Sequence, residues 1–270
     1  MDFTTSSPEL EKSNFHDIFF SRPVTAFALP SIGILVGRHF KLYELNTIFE
    51  VLQAFNLSPV IIADQTLKET DLPAQLYLKG SNRAISYENA DEAIGLIDDC
   101  NALFILAGNE ANSSFALLTE KVTRNYQGLI ITDNLQAVPS ARGKAELLVF
   151  GSTKQILKKQ SAKITAQSGL KLKAELLSSV ATENNADIIA IDGPQGLAVK
   201  YDNEEKVAVI NTVTDINTTA LASIIGALLA ERSKPYKFDW FSYVLAGGYL
   251  YRNYYKQDPK ELKQFLNSQF

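Results

Sequence analysis

The chain has 270 residues, 46% hydrophobic and 21% charged, with a formal charge of −4. That composition is ordinary for a globular protein, and the length allows one large α/β domain or two small ones. The single cysteine, Cys100, excludes an internal disulfide and a thiolate metal cluster, and His16 and His39 are too far apart in sequence for a metal-binding spacing.

No apolar run reaches membrane-spanning length and no signal-peptide pattern opens the chain, so the expected setting is the cytoplasm. No stripe of Lys and Arg points to nucleic acid. The nearest group, Lys158, Lys159, Lys163, Lys171 and Lys173, reads as solvated helix and loop surface.

In chain order, residues 1–21 are polar, with Phe15, Ile18 and Phe19 at helical spacing, a short arm that packs on its own domain or on a neighbouring subunit. Ser31 to Gly37 reads as a buried strand. Leu42, Leu45, Ile48, Phe49, Leu52 and Phe55 then recur at intervals of three and four, an amphipathic helix before the strand Val60 to Ala63. This is a βαβ unit, which favours a parallel sheet. Strands are expected at Gln75 to Leu78, near Ala84 to Ser86, and at Ala102 to Ala107, Leu129 to Thr132, Leu147 to Phe150 and Ile188 to Ile191. Helices are expected at Ala90 to Ile97, Ser113 to Tyr126, Lys154 to Lys159 and Leu170 to Val180. Leu197 to Tyr201 and Val207 to Ile210 suit a hairpin across the acidic turn Asp202 to Glu205.

Residues 220–231, ALASIIGALLAE, are apolar on nearly every face, so this helix belongs in the interior. Asp215, Asn217, Thr218 and Thr219 before it carry side-chain oxygens that can cap its first turn. Its positive end can hold an anion, or it can be a capped core helix with no ligand. After a loop at Ser233 to Lys237, Phe238 to Tyr255 reads as one long aromatic helix. Its stripe suits core, subunit contact or stacking on a base. Pro259 to Phe270 is a last helix. No Pro/Gly/Ser-rich linker divides the chain.

Ligands of open parallel sheets bind beyond the carboxyl ends of strands. Polar residues stand at four such ends: Gly108-Asn109-Glu110, Asp133-Asn134, Gly151-Ser152-Thr153-Lys154 and Thr214 to Thr219. Lys154 follows a glycine turn but lacks the P-loop pattern. Asp133 can serve as a base, hold a ribose or brace the strand end.

The order of elements resembles the ribokinase-like superfamily, and within it the ADP/ATP-dependent NAD(P)H-hydrate dehydratases. Residues 220–231 are similar to the family's VLAGIIAALLAQ-like helix, and Ala246 to Tyr251 to its GVYLHG-like core. Asn101 to Glu110 echo a DAVVIGPGLG-like strand and turn, and Ile130 to Leu135 a VLDADAL-like strand end. The resemblance covers residues 30–257 in order of elements. It implies an α/β ribokinase-like three-layer α/β/α sandwich with a mostly parallel central sheet, residues 1–29 being an N-terminal arm and 30–270 the domain. It also implies ATP or ADP as cofactor, an adenine nucleotide or NAD(P)H-like ligand as partner, and a homo-oligomer.

The departures fall on the chemistry. The family's Gly-x-Gly-Asp turn falls on Ile216-Asn217-Thr218-Thr219, so its catalytic aspartate becomes Thr219, and Ile216 and Thr218 replace glycines that let amides approach a phosphate. The His-Pro-Gly-Glu turn falls on Gly151 to Lys154. The Lys-Gly turn beside the nucleotide falls on Asp192-Gly193, an inverted charge. Asp133 remains while its partner falls on Ile131, and the first Gly-rich turn is shortened to Gly37-Arg38-His39. Asp215, four residues before Thr219, could supply a carboxylate by a shift of register.

The resemblance thus places catalysis at Asp215 and Thr219, nucleotide contacts at Asp192, Gly193, Asn217 and Thr218, and substrate contacts at Gly108, Asn109, Asp133 and Lys154, with no metal ligands. Three readings follow. The chain is a ribokinase-fold protein with impaired catalysis, or a dehydratase or kinase with rearranged residues, or a non-catalytic binding or structural partner.

Overall fold

The structure, a computed structural model, describes residues 1–6, 11–23, 29–70, 72–80, 87–108, 113–124, 126–138, 146–158, 169–232, 238–256 and 258–269. The strands are β1 (Asp2–Ser6), β2 (Ile32–Val36), β3 (Val60–Asp64), β4 (Leu76–Leu78), β5 (Ala102–Leu106), β6 (Leu129–Thr132), β7 (Glu146–Gly151), β8 (Asp187–Asp192), β9 (Gln195–Lys200) and β10 (Asn203–Asn211). The helices are α1 (His16–Phe20), α2 (Leu42–Ala54), α3 (Ala90–Ile97), α4 (Ser113–Thr123), α5 (Thr153–Ile156), α6 (Leu170–Asn184), α7 (Thr218–Glu231), α8 (Trp240–Leu250) and α9 (Pro259–Asn267).

The chain forms two compact units. One holds Met1–Leu29, Thr47–Asn56 and Phe150–Phe270, the other Pro30–Asn46 and Leu57–Val149. In the second unit the strand order is β7-β6-β5-β2-β3-β4, and every pair is parallel. Parallel strands are covered on both faces, which requires continuous apolar runs rather than alternation. β2 (IGILV) and β5 (ALFIL) meet that requirement, with every residue buried. In the first unit the order is β1-β10-β9-β8, with β1 parallel to β10 and the β8-β9-β10 meander antiparallel. The α/β class with a mostly parallel sheet is as expected.

α7 is the buried rod of the first unit, with Thr219 to Leu229 all buried. α8 packs directly on it. A Cβ on Gly247 of α8 would overlap the Ile225 side chain of α7, so the two helices meet backbone to side chain there. The N-terminal segment joins this unit. Phe19 is fully buried, edge-on to Phe265 of α9 at 5.3 Å, and Phe15 lies 5.5 Å from Tyr249. Arg22 lies over the Phe55 ring and makes a two-pronged ion pair with Glu231 at the end of α7, at 2.6 and 2.9 Å.

Several elements differ from expectation. Residues 2–6, read as part of a polar arm, form the strand β1. Its partner β10 lies two hundred residues on, so no local periodicity announces it. The expected helix Phe238 to Tyr255 is α8 followed by a π-helical turn, Tyr251–Tyr255. Its aromatic stripe is core: Trp240, Phe241, Tyr243, Tyr249, Tyr251 and Tyr255 are all buried.

The hairpin turns at Tyr201-Asp202, and Asn203 to Glu205 belong to β10. α6 runs on to Asn184, where Asn185 takes the left-handed conformation that ends it. Lys173, read as solvated surface, makes an ion pair with Asp192. The strand expected near Ala84 to Ser86, the loop Ser233 to Lys237, and Asn109, Glu110, Lys159 and Lys163 lie outside the described residues. Among the described residues no helix is long and apolar enough to cross a membrane.

Candidate functional site

In the first unit, β10 passes through Thr212 to Asn217 into α7. This loop is stitched to the β8–β9 turn by Thr212 N–H donating to the Pro194 carbonyl at 2.9 Å and Ile216 N–H donating to the Gly193 carbonyl at 2.8 Å. Gly193 has φ +60°, and a Cβ there would stand 3.2 Å from Asp215 Oδ1. A side chain at 193 would therefore be strained by its own backbone and crowded by Asp215. Asp215 itself is exposed, beside that turn.

Two amides at the amino end of α7 are met by the protein's own side chains. Four residues had the oxygens to cap it; the structure uses Asn217, whose Oδ1 accepts from Ala220 N–H at 3.1 Å. The Asn217 N–H in turn donates to the Tyr251 hydroxyl at 2.7 Å. Tyr251 opens the π-helical turn after α8, a widened turn that recurs at functional positions. Thr218 and Thr219 are helical. Thr219 is 5% exposed in the first turn, and its carbonyl accepts from Ser223 Oγ at 2.7 Å.

Asp192 stands at the end of β8, next to Gly193. Its carboxylate accepts from the Thr153 amide at 3.3 Å and from Lys173 Nζ at 2.8 Å. Ser152 caps α5, its Oγ accepting from Gln155 N–H at 3.2 Å, and Lys154 is exposed on that short helix. The structure therefore brings Asp192, Gly193 and Asp215 to one turn, and runs Asn217, Thr218 and Thr219 in sequence into α7.

In the second unit, Asp133 follows β6 and reaches the end of β5. Its two oxygens accept from the Ala107 and Gly108 amides at 2.9 and 2.7 Å, while the Asn134 side chain donates to the Gly108 carbonyl at 3.0 Å. Burial pushes the Asp133 carboxyl up to about 6, against the pull of those amides. Each oxygen thus holds one amide of the Gly108 turn, a geometry that braces the strand end.

Three residues beside these sites have no site role in the sequence expectations: Asp64, Lys173 and Tyr251. Asp64 ends β3 much as Asp133 follows β6, and the acid after an apolar strand was the signal. It accepts from Thr66 N–H at 2.9 Å, Thr66 Oγ1 at 2.7 Å and the Tyr87 hydroxyl at 2.9 Å, with Arg38 at 3.5 Å. Burial alone would push its carboxyl up. Those donors together outweigh it and hold the group below the ordinary range. Lys173 and Tyr251 had no local signal, since their partners lie 19 and 34 residues away.

No family model and no curated protein matches the chain. Solved structures do. The chain is similar to the hypothetical protein SMU.573 of Streptococcus mutans, with 10% identity, TM-score 0.65, and coverage of 96% of this chain and 99% of that one. It is also similar to the ADP/ATP-dependent NAD(P)H-hydrate dehydratase of Bacillus subtilis co-crystallised with ATP/Mg2+. There the identity is 14% and the TM-score 0.61, with coverage of 94% and 95%. The same enzyme soaked with CoA gives 13%, 0.60, 94% and 96%. At these identities the likeness is one of fold, and it extends over almost the whole of both chains.

Proposed function

We propose that the chain is a ribokinase-fold protein that has lost the NAD(P)H-hydrate dehydratase reaction and binds an adenine nucleotide weakly at most. One observation carries this reading. The first turn of α7, where the resemblance sets a catalytic aspartate, holds Thr219, a buried neutral alcohol, which is no base near neutral pH without an activating partner. Two of the amides at that helix end already have partners, in the Asn217 side chain and the Tyr251 hydroxyl.

Thermal unfolding with ATP, ADP, AMP and NADH tests the binding half. A ligand at a concentration near its Kd stabilises the native state by about 0.4 kcal/mol, a rise of about 1 °C for a chain of this size. Shifts of that order at millimolar ligand fit the reading, and shifts of about 5 °C or more would contradict it.

The second reading, a working enzyme with rearranged residues, draws on Asp215, the carboxylate in the loop between β10 and α7 and exposed to solvent. It predicts a nucleotide-dependent activity that Asp215→Asn abolishes.

A further inference from the structure

The first unit holds a cavity of about 110 Å³ at the carboxyl end of α7. α7 has 14 residues, so at about 1.5 Å each its two ends lie about 20 Å apart, and the cavity is remote from Asn217 and Thr219. Among the described residues, Ile18, Leu228 and Tyr243 supply apolar wall, and Arg22, Glu231 and Arg232 supply charge.

Arg22 and Glu231 are buried, their side chains 4% and 2% exposed. They are committed to each other, Arg22 donating from Nε and Nη2 while its guanidinium lies 4.7 Å over the Phe55 ring. Such a pair is a poor device for stability alone, because desolvation offsets its attraction. Set in a cavity wall, it gives a largely apolar space one polar side.

The pair cancels, so the described wall carries the single positive charge of Arg232. Arg232 is half-buried, and a guanidinium has five donors, enough to take a carboxylate beside other partners. Glu231 and the negative end of α7 both oppose an anion, which limits a guest to one negative charge. Size sets a second limit. An apolar cavity of about 150 Å³ takes one benzene, so this smaller one takes about four or five heavy atoms.

We propose that the cavity binds a short monocarboxylic acid, its alkyl chain against Ile18, Leu228 and Tyr243 and its carboxylate on Arg232. The site uses none of the residues of the proposed function.

The test is amide NMR titration of the full chain at pH 7 with propionate, 1-propanol and sulfate, repeated on Arg232→Met and Leu228→Phe. Propionate is expected to move the Ser21 and Arg232 amides saturably and to leave Gly193 and Thr219 in place. Propanol, of the same length without the charge, should bind about tenfold more weakly, the worth of one charged hydrogen bond. Sulfate, a dianion with no chain, should leave those amides in place. Arg232→Met should weaken propionate about tenfold, and Leu228→Phe, which fills the space, should abolish binding. The proposal is overturned by the absence of a saturable shift, by propanol or sulfate binding as well as propionate, or by an affinity unchanged in Arg232→Met. Should Leu228→Phe misfold, Arg232→Met and the propanol comparison decide.

Discussion

Asp187 makes the pH dependence of stability a sharp test of the structure. It opens β8 at 2% exposure, and its carboxylate accepts from the Tyr201 amide at 3.2 Å, closing the β9–β10 turn. Burial pushes its carboxyl from 3.8 up to about 7. Lys200 favours the charged form, but its ammonium is committed to Asp202 at 2.7 Å, and that second acid opposes ionisation.

A raised acid has a definite sign. Between about 4 and 7 the folded chain keeps a proton that the unfolded chain has released. Stability from this group is therefore full below the unfolded value and lost as pH rises through the folded one. About three pH units at about 1.36 kcal/mol each set a ceiling of about 4 kcal/mol.

Asp187→Asn cannot ionise and keeps an oxygen for the Tyr201 amide. Urea unfolding of both proteins from pH 4.5 to 8 gives the difference directly, with other titrating groups cancelling. The variant is expected to gain on the wild type as pH rises, by up to about 4 kcal/mol, with most of the change complete by pH 7. A difference that stays flat, or that moves against the variant, would refute a buried and poorly paired Asp187.

Other changes follow from single contacts. Arg22→Met alone should destabilise by about 3–5 kcal/mol in urea unfolding, because it strands the Glu231 charge in the core, while Arg22→Met with Glu231→Leu should recover most of that loss. Gly247→Ala should cost about 1–3 kcal/mol in urea unfolding by driving a methyl into Ile225 Cγ1, and in an Ile225→Ala background, which lacks that atom, the same change should cost less. Asp133→Asn should cost about 1–3 kcal/mol, read in the same way, since an amide side chain cannot accept from both the Ala107 and the Gly108 N–H.

Much of the fold is written in local periodicity. The helix at 90–97 and the strand at 129–132 match their expected bounds because each is a short apolar pattern between clear breakers. α7 is equally plain, since no surface helix is apolar all round. β1 is hidden because DFTTS has neither alternation nor an apolar run; its pairing with β10 makes it a strand. The aromatic segment after residue 238 conceals its π-helical turn because the composition is the same before and after residue 251.

The candidate site is legible only in part for the same reason. Asp192, Gly193 and Asn217 can be picked out as strand-end and cap residues. That Asn217, not Asp215 or a threonine, is the cap depends on which side chain reaches Ala220, and that Lys173 faces Asp192 depends on how α6 lies on β8. Both are settled by packing, which no window of sequence contains.

The most direct measurement is the conversion of hydrated NADH by the purified chain with ATP or ADP and Mg2+, followed by the return of NADH absorbance. With Thr219 in the first turn of α7, conversion should equal that of a protein-free blank at every nucleotide concentration. Nucleotide-dependent recovery of NADH that scales with protein and vanishes in Asp215→Asn would contradict the loss of catalysis, and would hand the chemistry to the exposed carboxylate beside Gly193.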